Sequence, residues 1–406
     1  MDEAIDLTTA HEVIPGAASS PAIAVSLLPM IGVILIAYLI IGLAMPILPL
    51  HVHNGLGLST TAVGLVAGSQ FAASLISRPW AGIFSDRSGS KRAVVVGLSV
   101  AAASGLTYML SLIATTDPIV SVAILIFGRV LLGIGESFII TGALSWGMTL
   151  GGAQNTGKVM SWLGTALYGA YALGAPLGTT LYAYSGFASI ALAATLIPLA
   201  ALLVVSPLRA SAPAIAVPPE YGKVARAVVT PGIGLAISGV GFAAITTFIV
   251  LLFNENGWTQ AWVALTLLSL AFIAGRIFFG HIPDKYGAKA ALVCILIEAA
   301  GLVLIWVAHS EFVGLTGVAL AGLGYSLIYP SFGVEALRRS APDSRGLTMG
   351  AYSSFLDLSL GLASPALGLV ASQAGLNAVF LASTIVVTFS ASIAFQIVRR
   401  PVSEQG

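Results

Sequence analysis

Residues 78–91 read RPWAGIFSDRSGSK, and residues 276–289 read RIFFGHIPDKYGAK. Sliding the chain by 198 residues (276 minus 78) lays one stretch over the other. Arg78 then meets Arg276, Gly82 meets Gly280, Asp86 meets Asp284, Arg87 meets Lys285, Gly89 meets Gly287 and Lys91 meets Lys289. Six matched positions in fourteen point to a tandem of two related units. The physics of each stretch is legible without any family. An aspartate at a helix end can accept hydrogen bonds from the exposed N–H groups of a neighbouring helix start. The glycines allow a tight turn and close helix approach. The basic residues supply partners that can form or break if the units move.

The material around these stretches is apolar. Of 406 residues, 57% are hydrophobic, and 33 (17 Lys+Arg plus 16 Asp+Glu) are charged, which is 8%. A water-soluble domain carries roughly 25% charged residues, and the mean hydropathy is +0.99. The chain therefore reads as an integral membrane protein. A net charge of +1 excludes a nucleic-acid binder, which needs a concentrated basic face. The single cysteine, Cys294, lies in an apolar run and excludes an internal disulfide framework or a cysteine-based metal cluster.

A bilayer core of ~30 Å takes about 20 helical residues to cross. Twelve apolar runs qualify, at about 26–50, 60–84, 93–114, 119–141, 159–183, 187–207, 229–254, 261–281, 289–309, 312–335, 346–372 and 377–398. They are continuously apolar, which favours helices over a barrel with its two-residue alternation. Fourteen of the seventeen Lys and Arg fall in the connections after runs 2, 4, 6, 8 and 10 or in the C-terminal tail. The positive-inside rule then places those connections and both termini in the cytoplasm. The expected organisation is a cytoplasmic disordered tail at 1–25, a six-helix bundle at 26–207, a cytoplasmic linker at 208–228, a second bundle at 229–398 and a tail at 399–406. Residues 1–25 hold four acidic residues and no Lys or Arg, which argues against a signal peptide. Pro207, Pro213, Pro218 and Pro219 mark the linker.

The doubled pattern G-x-x-x-D-[RK]-x-G-x-K between helices 2 and 3 of each half resembles the signature loop of the major facilitator superfamily. Arg129-Val-Leu-Leu-Gly133-Ile-Gly135 resembles that superfamily's helix-4 motif. Gly174-Ala-Pro176-Leu-Gly178 is similar to its helix-5 Gly-Pro antiporter motif, with Ala175 inserted between Gly and Pro. GESFIITGALSWG (135–147) and GKVMSWLG (157–164) look like the bacterial YhhS/YfcJ-type, arabinose-efflux-like permeases. The resemblance spans the whole chain. It implies an all-α fold of two pseudo-symmetric six-helix bundles in a bacterial inner membrane, with helices 1, 4, 7 and 10 around a central cavity. It also implies transport by alternating access without a cofactor. The doubled loops would then latch the cytoplasmic gate shut in the outward-open state.

An ionisable group at the bilayer centre costs about 2.5–3.5 kcal/mol even on a lenient scale, so each one is a functional candidate. Arg129 and Glu136 (helix 4), Glu298 (helix 9) and Asp357 (helix 11) fall near mid-membrane. Arg129 and Glu136 are seven residues apart, about 20° around the helix and ~10 Å along it, so they share one face. Arg129 suits an anionic substrate group or modulation of a carboxylate, and Glu136 suits proton uptake and release. Asp357 is a second proton carrier or a substrate ligand. Glu298 is expected at the periphery, where a hydrogen-bonded structural carboxyl is the plainer reading. Arg78 and Arg276, eight residues before their aspartates, either snorkel to the interface or join the gate network. Glu335, three and four residues before Arg338 and Arg339, reads as an interfacial salt bridge. Tyr38, Gln70, Tyr168, Tyr171, Tyr325 and Tyr329 are candidate cavity-lining residues.

Three functions compete. The favoured one is proton-coupled export of a small organic compound by a monomer. The second is a proton-coupled importer of a sugar or organic acid, which uses the same carboxylates with opposite net flux. The third, an intramembrane enzyme or sensor, lacks a recognisable metal-ligand or nucleophile motif.

Overall fold

A computed structural model describes residues 20–151, 156–208, 210, 221–340 and 345–399. Among these the chain is almost entirely helical. The long helices are α1 (Ser20–Ala44), α2 (Thr60–Ser88), α3 (Ser90–Ser111) and α4 (Pro118–Gly151). The 50-residue element Thr156–Val205 leaves helical geometry at Ser185 and at Gly186, whose φ is +63°. We number its two arms α5 (156–184) and α6 (187–205). The Ser189 hydroxyl donates to the carbonyls of Leu181 and Gly186 at the bend. Then come α7 (Tyr221–Glu255), α8 (Ala261–Phe279), α9 (Ala288–Trp306), α10 (Glu311–Arg338), α11 (Arg345–Ala374) and α12 (Leu376–Arg399). Eleven elements are long and apolar enough to cross a membrane, and the bent one supplies two crossings. Large apolar side chains such as Ile76, Ile113, Leu203 and Phe312 are exposed, which suits a lipid-facing surface.

The helices outrun the hydropathy windows, because backbone hydrogen bonding continues past the hydrocarbon edge. Helix α4 extends to Gly151 where the apolar run ended at 141. Two expected boundaries are corrected. Helix α1 begins at Ser20, inside the expected N-terminal tail, and α7 begins at Tyr221, inside the expected linker. Residues 1–19, Arg209, most of the linker with Pro213, Pro218 and Pro219, and the tail from Arg400 lie outside the described residues.

Packing repeats with the sequence. Helix α2 lies on α4 as α8 lies on α10, α3 on α4 as α9 on α10, and α1 on the α5 arm as α7 on α11. Glycine sets the close approaches. Gly42 and Gly174 face each other across α1 and α5, leaving no room for a side chain on either. The two signature loops share one turn. Gly89 (φ +94°) and Gly287 (φ +48°) sit where L-residues are disfavoured. Their N–H groups donate to the carbonyls of Ser85 and Pro283, again 198 residues apart.

The halves meet along α2–α11 and α5–α8. At the face opposite the basic loops, the Thr60 hydroxyl donates to the Gly368 carbonyl and Thr61 Oγ1 donates to Ser372. Gly64 and Gly68 seat α2 on Ser364 and Pro365, and Gly361 seats α11 on Ala72.

Candidate functional site

A cavity of roughly 850 Å³ lies between the halves, within the size range of small-molecule sites. It is mostly apolar, with Arg129, Glu136 and Asp357 as its ionisable lining residues. The helix-4 glycines explain how these arrive there. Gly133 sits on the Gln70 backbone of α2, and Gly135 sits on Gly97 and Ala101 of α3. That seating brings Gln70 Nε2 to 2.6 Å from Glu136 Oε2, to which it donates a hydrogen bond. Arg129 Nε donates to the Val66 carbonyl at 3.4 Å. Both residues face the cavity, as their spacing predicts.

Asp357 is reached from the other half. Arg78 of α2 forms an ion pair with it, and the Ser74 hydroxyl lies 3.5 Å from both the Asp357 Oδ2 it donates to and Arg78 Nη2. The side chains are 18% and 7% exposed. Arg78 therefore neither snorkels nor joins the signature loop. Ser74 was not singled out from sequence. Its signal is its position one turn before Arg78, on the same helix face.

Arg276 differs from its repeat partner. Its guanidinium carbon lies 4.6 Å from the Phe272 ring centroid and 5.8 Å from that of Tyr168, and Nε donates to the Ser326 carbonyl at 3.4 Å. Phe272 and Tyr168 stack at 3.5 Å across the α8–α5 contact.

Of the aromatic and amide candidates, Tyr168 and Tyr171 line the cavity. Tyr38 and Gln70 lie behind Glu136, with Tyr38 6.2 Å from Tyr171. Tyr325 stacks on Phe242, and the Tyr329 hydroxyl shares a 2.6 Å hydrogen bond with Ser353. Glu298 does not line the cavity. It is buried among α7, α9, α10 and α12, beside Gly241, Gly324 and Val387, and neither carboxyl oxygen has a hydrogen-bond partner among the described residues. The expected hydrogen-bonded carboxyl at the periphery is replaced by a bare one in the core of its half.

The loop aspartates also depart from expectation. Among the described residues neither Asp86 nor Asp284 caps a helix through its side chain. Instead Glu335 Oε1 accepts from the Ala288 N–H at the start of α9 and from Arg338, both at 3.1 Å. Arg338 also donates to the Asp284 carbonyl, and Lys91 donates to the carbonyls of Ser206 and Leu208. These bonds stay within one half. Arg87, Lys285 and Lys289 are exposed, Gly82 has open space around it, and Gly280 packs on the Arg276 carbonyl. In the helix-5 motif, Gly174 and Gly178 hold α5 against α1 at Gly42 and Leu43, and Pro176 is half-buried.

Two repeated helix bundles around a cavity lined by two carboxyls and an arginine have the build of a membrane transporter. The chain matches the Major Facilitator Superfamily over residues 30–333 and again over 232–406. It belongs to that superfamily and is a transporter, not an enzyme. It is 43% identical over 364 residues to an uncharacterized MFS-type transporter of Salmonella typhimurium, covering 89% of this chain and 94% of the relative. It is 38% identical over 366 residues to the uncharacterized MFS-type transporter YhhS of Escherichia coli, covering 90% of each. Among solved structures it resembles a bacterial homolog of the human lysosomal transporter Spinster (TM-score 0.74, 13% identity, 94% of this chain and 98% of that one). It also resembles a D-xylose–proton symporter (TM-score 0.73, 12% identity, 92% and 97%). At these identities the likeness is one of fold.

Proposed function

We propose that this protein exports a small organic compound in exchange for protons, by alternating access. The observation that carries the reading is the Arg78–Asp357 pair, a buried charge pair that joins the two halves and can be broken by one proton. A proton entering the cavity neutralises Asp357, frees Arg78 and removes an electrostatic tie between α2 and α11. Glu136, held by Gln70 in the same cavity, takes or releases a proton as substrate leaves or enters. Arg129 holds an anionic part of the cargo or tunes Glu136. Arg87, Lys91, Lys285 and Lys289 latch the basic face after the halves rock. In this reading both termini and the basic loops are cytoplasmic, the membrane is the bacterial inner membrane, the working unit is a monomer, and the proton gradient is the energy source without a bound cofactor.

The test is metabolite profiling of medium and cell extract from cells lacking the protein, expressing it, and expressing Glu136→Gln. Export predicts a compound that accumulates outside only with the wild-type chain. Depletion of a compound from the medium would overturn the direction and leave a proton-coupled importer of a sugar or organic acid.

A further inference from the structure

The internal repeat supplies two equivalent arginines and one carboxylate. Helix α11 packs on α2, and α5 packs on α8 in the same relation. In the first contact Arg78 of α2 meets Asp357 of α11. Shifting Asp357 back by the same 198 residues (357 minus 198) lands on Val159 of α5, a fully buried apolar side chain. Symmetry thus supplies Arg276 but not its acid. Among the described residues no carboxylate pairs with Arg276.

What surrounds Arg276 is suited to a ligand. A guanidinium carries five N–H donors, and the described hydrogen bond occupies only Nε, through the Ser326 carbonyl. Phe272 and Tyr168 support the flat face of the group, which leaves its edge for a planar, two-pronged acceptor. Gly164 of α5 lies opposite, and a Cβ there would run into Nη1. The side chain is partly accessible. Tyr168 continues the path, because its ring stacks on Phe272 and also lines the central cavity.

We propose that Arg276 is an anion-binding site, at which the carboxylate or phosphonate of an organic oxyanion takes the place of the missing acid. The cargo's charged group docks at the guanidinium edge, and an apolar or aromatic body lies along Tyr168 and Phe272. The site is distinct from Arg129, which lines the cavity from the opposite side of Tyr168. The proposal deepens the transport reading by naming the substrate class, and it rests on that reading only for the side from which the anion loads.

The experiment uses the purified full-length chain in detergent and reads the shift of its thermal unfolding midpoint with benzoate, phenylphosphonate and neutral benzamide. At least one of the two anions should stabilise the wild type, and benzamide should not. Arg276→Gln should weaken that binding about tenfold or more, the loss expected for a charge-assisted hydrogen-bonded pair, while Arg129→Gln leaves the Arg276-dependent part in place. Arg276→Lys, which keeps charge but not the fork, should fall between and serves if the Gln variant does not fold. Equal stabilisation by benzamide, anion shifts unchanged in both Arg276 variants, or no shift with either anion would overturn the proposal. None of these readouts needs a gradient or a direction. A failed export experiment therefore leaves the site standing, and a failed binding experiment leaves export untouched.

Discussion

Arg78 and Asp357 are 279 residues apart in sequence (357 minus 78) and form one buried ion pair between α2 of the first half and α11 of the second. A pair of this kind is a weak source of net stability, because desolvating both charges offsets much of their attraction. Its value lies in being breakable. Removing one charge strands the other in a low-dielectric setting, at a cost on the order of 3–5 kcal/mol.

That asymmetry gives the first prediction. Asp357→Asn and Arg78→Gln should each lower the thermal midpoint of the purified protein more than the double variant does. A double-mutant cycle should show favourable coupling of about 1 kcal/mol or more. Additive effects would mean that the pair holds nothing together.

Glu136→Gln keeps the size of the side chain and a hydrogen-bonding group for Gln70, but it cannot ionise. In inverted membrane vesicles, transport of the compound found by profiling should lose its dependence on an imposed pH gradient. Exchange of labelled for unlabelled compound should persist. Retained gradient dependence in both this variant and Asp357→Asn would remove the two carboxyls from the coupling mechanism.

Gly64 touches the Ser364 carbonyl of the opposite half, so close that even a Cβ forces the backbone to move. Gly64→Val should part α2 from α11 at the face opposite the basic loops. Cys294 is the sole cysteine and is buried, so a cysteine introduced at Thr247 in the cavity wall can be read above a low background. Its labelling by a membrane-impermeant thiol reagent from the outside of intact cells should rise several-fold over the same cysteine with Gly64 intact. An unchanged rate would show that this contact does not control access.

Glu298 is buried with no partner for either carboxyl oxygen, a costly setting for an ionised group. Glu298→Gln should leave transport intact and alter stability by no more than about 1 kcal/mol. Glu298→Lys, which forces a charge into the same space, should prevent accumulation of folded protein. Loss of gradient-driven transport in Glu298→Gln with normal folding would promote this residue to a proton carrier.

Much of the site was legible because helical geometry is local. The seven-residue spacing of Arg129 and Glu136 put both on one face, and both line the cavity. The glycines of the helix-4 motif could be recognised, but not what they touch. Only the packed structure shows Gly133 on the Gln70 backbone and Gly135 on Gly97. Glu335 was read as half of a local salt bridge. It also caps α9 from 47 residues away, which no spacing rule along one helix can reveal.

The amino-acid sequence by itself determined the membrane class, the twelve crossings, the repeat and the mid-membrane ionisable residues. Each of these follows from hydropathy over about 20 residues or from a fixed offset within the chain, and neither depends on what packs against what. Tertiary structure alone decided that Arg78 has an acid while Arg276 has none, that Glu298 stands apart from the cavity, and that the signature loops bond within their own halves. Those outcomes depend on contacts between helices far apart in sequence. In an apolar solvent a charge is stabilised chiefly by the few groups that such packing brings within reach.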